Sequence, residues 1–561
     1  MSQRFRGRRL AAACTGALAL AAVATPSALA HRPGDGPAPS LRWSACDAAR
    51  PDGPQCATAT VPKDWSKPRR GTIQLAVSKV PATDQANKIG SLFVNFGGPG
   101  GDAAATVAAI GGDLFRGVND RFDIIGMDPR GVGESRPAID CRSNQETEGV
   151  YAQPFETPDT LDIRAMIERD TRYIRRCLTL NSAILPYVST ANVARDIDYL
   201  RGAVGDRRLT YLGFSYGTFL GATYESMFPS HVRAMVLDGA LDPDQYLNDP
   251  LSSLDEQTAG FERAIGRFLQ ACAAHQDACL GFGGDDPWAA LDELIERASV
   301  TPIPASNGAP VDGEDIDAAV TQAVYSKSLW PDLAYALARA AQDNDGTVLR
   351  AIDQLFYGGP DENGNYDPIT DRYFTISALE QRYPRDIRTY LREGQRSYND
   401  YDHAFWNHGY SELAWGLYPV RPNSAFYGPF RNPADAPTTL VVGTTYDPAT
   451  PYKEAKRLVR QLGNARLLTM RGDGHTAYGG NSACIDEAVD AYLEQLTLPA
   501  TGTVCRQEVP FEQPAPEPAA PQSDQKTVAP QSLAQRSGSS EAARLQRLER
   551  LAPHIKPLLE P

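Results

Sequence analysis

One ten-residue stretch constrains this chain more than any other: Leu209-Thr210-Tyr211-Leu212-Gly213-Phe214-Ser215-Tyr216-Gly217-Thr218. Apolar and aromatic residues run into a turn of pattern G-x-S-x-G, and a helical pattern follows from about Tyr216 to Phe228. A strand that turns this sharply into a helix holds the serine in strained backbone at the tip. Gly213 and Gly217 lack Cβ, so strand, turn and helix backbones can pass closely. The helix then points its free N–H groups and its dipole at the serine oxygen, where they favour developing negative charge. A glycine–serine turn in any βα unit has the same letters; the strand before it and the helix after it distinguish this one.

The flanking sequence supplies a sheet. Gln74 to Val80, Ser91 to Asn95, Phe122 to Met127 and Val232 to Leu237 read as strands. Helical patterns cover Asp162 to Leu180 and Asn192 to Val204. This alternation predicts an α/β fold, a mostly parallel sheet with helices on both faces. Between Asp242 and Asn432 the strand pattern stops. Helical segments and aromatic loops replace it: Leu254 to Ala274, Pro287 to Ala298, Ile316 to Ala323, Leu329 to Gln342 and Thr347 to Phe356. They predict an inserted, mainly helical lid. The sheet resumes with Thr439 to Gly443 and Ala465 to Thr469, separated by a helix from Pro451 to Leu462 and followed by one from Ile485 to Leu496. The expected plan is an export signal over 1–30, a disordered segment or short propeptide over 31–40, core over 41–241, lid over 242–432, core again over 433–507, and a Pro/Ala/Gln-rich tail with a short helix over 508–561. No internal repeat is present.

A serine nucleophile needs a base, and the base needs a group that orients it. On sheets of this kind they follow in the order Ser, acid, His, each in a loop after a strand. Asp447 in Gly443-Thr444-Thr445-Tyr446-Asp447-Pro448 and His475 in Gly472-Asp473-Gly474-His475-Thr476 meet that requirement. Loops at the carboxyl ends of parallel strands share the edge that carries Ser215. The other histidines fit less well. His231 abuts a strand, His275, His403 and His408 lie in the insert, and His554 lies in the tail. Asp473 is a rival acid only two residues from His475. The loop Gly97-Gly98-Pro99-Gly100-Gly101 lacks both the Lys-Ser/Thr of a phosphate loop and dinucleotide-site spacing. After the third strand of such a sheet it suits an oxyanion hole, the N–H of Gly98 joining that of Tyr216.

Composition narrows the setting. Arg4, Arg6, Arg8 and Arg9 precede an apolar run to Ala24 and the small-residue site Ala28-Leu29-Ala30, the pattern of a cleaved export signal. Its loss takes the net charge from −14 to −18, which argues against nucleic acid or an anionic membrane as partner. No other long apolar stretch exists, so no stable membrane insertion is expected. Of nine cysteines, Cys14 leaves with the signal and eight remain. An even number in an exported chain points to disulfides. Eight cysteines allow 105 connectivities; nearest-neighbour pairing gives Cys46–Cys56, Cys141–Cys177, Cys272–Cys279 and Cys484–Cys505. No Cys-x-x-Cys or histidine cluster suggests a metal.

With these motifs placed, the chain resembles the secreted tripeptidyl aminopeptidases of actinomycetes, α/β-hydrolase serine exopeptidases related to prolyl aminopeptidases. The resemblance runs from about Trp43 to Cys505. Asn95 to Gly101, Asp128 to Ser135, Gly213 to Gly217, Asp447 to Pro451, Gly474-His475, Cys484-Ile485-Asp486 and Cys505 carry it. Prolyl aminopeptidases usually have histidine where this chain has Phe96. The resemblance implies Ser215 as nucleophile, His475 as base and acid, Asp447 as orienter, no cofactor, and release of short peptides, tripeptides above all, from free N-termini of peptides or proteins. Lid carboxylates are candidates for the substrate amine: Glu256 and Glu262 on the first lid helix, then Asp312 to Asp317 and Asp361-Glu362. A solvated helix face accounts for the two glutamates equally well. A second reading keeps the chemistry and changes the substrate: a secreted, lidded carboxylesterase or lipase, with Trp330, Trp406 and Trp415 against an acyl chain. A third, a binding module on a silent hydrolase fold, requires a missing triad member, and none is missing.

Overall fold

A parallel strand buried on both faces needs apolar residues at nearly every position, and the strand leading to Ser215 is buried along its whole length. In the computed structural model, which describes residues 41–143, 157–357, 365–403, 408–509, 511 and 541–559, that strand lies inside a ten-stranded sheet. The strands are β1 (Ser44–Ala45), β2 (Gln55–Pro62), β3 (Thr72–Val80), β4 (Gly90–Asn95), β5 (Phe122–Met127), β6 (Leu209–Phe214), β7 (Val232–Asp238), β8 (Thr439–Tyr446), β9 (Ala465–Asp473) and β10 (Val504–Arg506). Their order is β1-β2-β3-β5-β4-β6-β7-β8-β9-β10. β1, β2, β3 and β5 pair antiparallel, and every pairing from β5 through β4 to β10 is parallel. The α/β-hydrolase expectation is met. The export signal, the 31–40 segment, Asp361-Glu362, Trp406 and most of 508–540 lie outside the described residues.

Register sets what stands at the sheet's carboxyl edge. Asn95 on β4 pairs with Gly213 on β6, and Phe214 pairs with Asp238 on β7. The glycine loop after Asn95, the Ser215 turn and the end of β7 therefore meet at one level. β8 and β9 pair as far as Tyr446 and Asp473, so Asp447 and His475 leave the sheet at the same edge. Both late strands run longer than the sequence suggested, because Thr444, Met470 and Asp473 keep pairing beyond the apolar runs. The glycine loop follows the fourth strand in chain order rather than the third. The short β1 and the Thr-rich β2, whose residues alternate between exposed and buried, have no continuous apolar run to announce them.

Helices fill the interval between β7 and β8, and their apolar side chains divide in two. Helices Pro250–Ala274, Pro287–Val300, Gly313–Ala323, Trp330–Asp343 and Thr347–Tyr357 pack around Phe261, Phe268, Leu333 and Leu349. Phe374, Ile376, Leu379 and Trp415, from helices Ile369–Glu380 and Leu413–Leu417, join the cluster that lies under the sheet. Trp330 and Trp415 are both buried in these cores, Trp330 against Phe268 and Phe511 and Trp415 against Phe374. Neither is free to line an acyl groove. Disulfides join Cys46–Cys56, Cys141–Cys177, Cys272–Cys279 and Cys484–Cys505, the nearest-neighbour set. The widest spans 36 residues and anchors the loop after β5 to helix Ile163–Asn181. Closing such loops typically contributes about 2–4 kcal/mol each.

Several carboxyl groups sit in the interior with no ion pair among the described residues. Burial pushes Glu225 and Glu454 up to about 8, and Asp238 and Glu380 up to about 7. An acid whose folded pKa is raised favours the native state while it stays protonated, and that advantage is lost as pH rises through the folded value. The groups held below the usual carboxylate range, Asp255 among them, titrate well below this window. The thermal midpoint should therefore fall by several degrees between pH of about 6 and about 8.5, measured by calorimetry at fixed ionic strength. A midpoint that rises across that interval would contradict this account of the core.

Candidate active site

Ser215 sits at φ 53° and ψ −125°, outside the conformations L-residues prefer, at the entry of helix Tyr216–Met227. Packing imposes this. A Cβ on Gly213 would stand 2.3 Å from the carbonyl oxygen of Gly217, and one on Gly217 would stand 2.6 Å from that of Asn95. Only glycines let β6, the turn and the β4 loop close on each other. The Ser215 N–H donates to the carbonyl of Asp238 at 3.0 Å, which pins the turn to the end of β7.

The glycine loop lies directly against this turn. Gly97 has φ +113°, and a Cβ there would be 2.9 Å from the Ser215 Cβ and 3.2 Å from the Tyr216 nitrogen. Gly98 follows at φ +96°. Gly97, Pro99, Tyr216, Val188 and Ile376 border a small cavity beside the turn. Successive backbone N–H groups next to a serine oxygen form the kind of preorganised donor set that stabilises an oxyanion. The Tyr216 side chain is fixed by a hydrogen bond to the Thr190 hydroxyl, and Thr190 donates from both its hydroxyl and its N–H to Glu380, at 2.5 and 2.9 Å.

His475 and Asp447 are brought together. The His475 Nδ1 lies 2.9 and 3.0 Å from the two Asp447 oxygens, and Asp447 is fully buried. The carboxylate also accepts from the N–H groups of Ala449 and Thr450 at 3.0 and 2.9 Å and from the Thr450 hydroxyl at 3.1 Å. These donors fix the orientation of the carboxylate towards the imidazole. Thr450 Oγ1 also approaches His475 Nδ1, at 3.3 Å. With Nδ1 turned to the acid, the opposite ring nitrogen is free: Nε2 is buried and has no hydrogen-bond partner among the described residues. A Cβ on Gly239 would stand 2.9 Å from the His475 Cε1. Gly239 is the neighbour of Asp238, whose carbonyl holds Ser215, so the ring stands beside the serine turn. The Asp238 carboxylate accepts the N–H groups of Ala477 and Tyr478 and thereby fastens the loop that follows His475.

Asp473 is engaged elsewhere. It takes an ion pair from Arg267 and another from Lys327 at 3.4 Å, both from the helical insert. That insert braces the acid and base loops at several points. Tyr325 accepts the His475 N–H at 2.7 Å, Gln257 donates to the Ala449 carbonyl at 2.8 Å, and the Arg267 guanidinium lies 3.5 Å over the Tyr446 ring. Glu256 is paired with Arg457 at 2.6 Å and Lys453 at 3.2 Å. Glu262 accepts the N–H groups of Asp402 and His403. Neither glutamate bonds to Ser215, His475 or Asp447. Asp312 caps its helix, Asp315 pairs with Arg350 and Asp317 faces His403. Thr450, Asp238 and Tyr325 were not singled out in the sequence; their roles come from contacts across the fold, and no local pattern marks them. No group of three or more His, Cys, Asp or Glu among the described residues is arranged to hold a metal ion.

A mostly parallel sheet with a strained serine turn, and an Asp–His pair at the same edge, define an α/β-hydrolase of the serine hydrolase class. Comparison with known proteins narrows the class. The family described as TAP-like protein matches residues 413–505. Serine protease Hip1 of Mycobacterium tuberculosis is 34% identical over 487 residues, covering 83% of this chain and 91% of its own. Carboxylesterase B of the same organism is 33% identical over 493 residues, covering 83% and 90%. The tripeptidyl aminopeptidase of Streptomyces lividans is 31% identical over 471 residues, covering 81% and 84%. The chain belongs to this tripeptidyl aminopeptidase-like family of α/β-hydrolases.

Proposed function

We propose that the protein is an exported serine exopeptidase that releases short peptides, chiefly tripeptides, from free N-termini through an acyl-enzyme on Ser215. The observation that carries the chemistry is the orientation of His475, its Nδ1 on Asp447 and its Nε2 buried and unpaired beside the serine turn. His475 takes the Ser215 proton as the hydroxyl attacks the scissile carbonyl, and the Gly98 and Tyr216 N–H groups receive the oxyanion. The imidazolium, steadied by Asp447, then protonates the leaving amine. Water repeats the sequence on the acyl-enzyme. Export rests on the 1–30 signal pattern, and the four disulfides suit an oxidising compartment. No helix among the described residues is long and apolar enough to cross a membrane.

The substrate assignment rests on the relatives named as peptidases and on the insert between β7 and β8. An exopeptidase must measure a fixed distance from chain end to scissile bond, and the insert is placed in sequence to supply the closing wall. A buried ammonium needs a carboxylate there. N-acetylation of a good tripeptidyl substrate removes that charge and adds bulk at the closed end. It should lower kcat/KM at least about a hundredfold, or roughly 2.7 kcal/mol. The comparison uses one peptide in free and acetylated forms; equal rates mean an open cleft.

The relative named carboxylesterase B supports a second reading, hydrolysis of esters by the same triad. Unblocked tripeptidyl amides against p-nitrophenyl esters separate the two. Efficient turnover of esters alone, with amides untouched, would replace the peptidase reading.

A further inference from the structure

The family resemblance ends near Cys505, yet the chain continues and its last described element returns to the insert. Helix Glu541–Leu559 seats on the first group of insert helices. Leu548 is almost completely buried there, with Leu545 and Leu551 beside it. These positions, each three apart, make one apolar stripe. Arg544 and Arg547 flank it and converge on one carboxylate, Asp332, which is fully buried. Arg544 reaches it at 3.0 Å and lies 4.3 Å over the Tyr335 ring. At the start of the helix, Glu541 meets Arg339 at 3.1 Å.

The seat matters because of what lies behind it. Asp332 is in the first turn of helix Trp330–Asp343, directly after the short turn Lys327–Leu329. Arg547 also donates to the Ser328 carbonyl at 2.9 Å, and Arg544 to that of Pro331 at 3.3 Å. The other end of this segment holds the base loop. The Tyr325 carbonyl accepts the His475 N–H at 2.7 Å, the Tyr325 ring stands edge-on to the imidazole at 5.8 Å, and Lys327 pairs with Asp473. Residues 325–332 are thus gripped on one side by the C-terminal helix and on the other grip the loop that carries His475.

We propose that the C-terminal helix is an intramolecular positioning element: docked on Asp332 through Arg544 and Arg547, it fixes segment 325–332 and so the placement of the His475 imidazole. The proposal rests on His475 being the general base. Arg544 and Arg547 touch neither substrate nor reacting atoms; they act through the segment. Two arginines converging on one carboxylate make docking specific, since both charge-assisted contacts form only when the helix is seated in this register. A base displaced by a fraction of an ångström slows proton transfer while leaving substrate contacts intact.

The test uses the full-length chain carrying Arg544→Gln and Arg547→Gln together, assayed well below its unfolding midpoint on an unblocked tripeptidyl amide. kcat should fall by about tenfold with KM within about twofold. A synthetic peptide of residues 541–561, added in trans, should restore kcat in a saturable manner. Arg547→Lys, which keeps the charge, should fall less than Arg547→Gln. The single Arg547→Gln variant serves if the double variant does not fold, and kcat should drop there too. Unchanged kcat, a loss confined to KM, or a loss the peptide does not restore would each overturn the proposal. Failure of the underlying reading shows separately: His475→Ala would then retain activity whatever the helix does.

Discussion

Ser215→Ala should abolish turnover and leave the fold intact. The hydroxyl is the attacking atom in the proposed reaction, and removing such a nucleophile commonly costs about a millionfold in kcat. The structure gives reasons to expect an undisturbed scaffold. The contacts that fix the turn are made by backbone and by Cβ, not by the hydroxyl: the N–H of residue 215 to the Asp238 carbonyl, and the close approach of Gly97 to the Ser215 Cβ. Alanine retains both. It is also no worse than serine at φ 53°, since the strain belongs to the Cβ that both residues carry. The thermal midpoint of the variant should match the parent, and reaction with a fluorophosphonate should vanish. Activity within tenfold of the parent, in material free of parent enzyme, would remove Ser215 from the mechanism.

The sheet was legible where burial on both faces writes a continuous apolar run. β5, β6 and β7 appear in the sequence as Phe122 to Met127, Leu209 to Phe214 and Val232 to Leu237, nearly to the residue. The outer strands were not. β2 carries Thr and Ala in alternating exposure, and β10 is only three residues long. Helix Ile369–Glu380 escaped for the opposite reason. Nearly every residue from Phe374 on is buried, so it has no polar face and no stripe to read. The division of the insert into two apolar groups was invisible too, because it depends on which distant side chains meet.

At the site, chain order and strand-end placement marked Ser215, Asp447 and His475, and the structure brings the last two into contact. What surrounds them was hidden. Thr450 reads as an ordinary residue before a helix, yet its N–H and hydroxyl both serve Asp447. Tyr325 lies 150 positions from the histidine whose N–H it accepts. Glu256 and Glu262 looked available on a helix face, and the structure shows cations on the first and backbone donors on the second. A charge in sequence says nothing of whether a partner has already claimed it.

The acid can be identified by comparing two isosteric changes. Asp447→Asn keeps the shape of the side chain and removes its charge. The amide has one acceptor oxygen where the carboxylate had two, and five donors now converge on it: His475 Nδ1, the N–H groups of Ala449, Thr450 and Thr476, and the Thr450 hydroxyl. The amide nitrogen cannot accept, so the imidazole either turns or adopts the tautomer that places its proton on Nε2, where a base must have none. The imidazolium formed during attack also loses its counter-charge. Losses on the scale of about ten-thousandfold in kcat follow from such a change. Asp473→Asn tests a different function. That carboxylate faces Arg267 and Lys327, so its neutralisation loosens the grip of the insert on the base loop without changing the charge next to the imidazole. Its effect should be smaller by at least about a hundredfold. Steady-state rates of both variants on one substrate decide between the two acids. A far greater loss in Asp473→Asn would assign it the orienting role and leave Asp447 as a buried cap on the loop before helix Tyr452–Leu462.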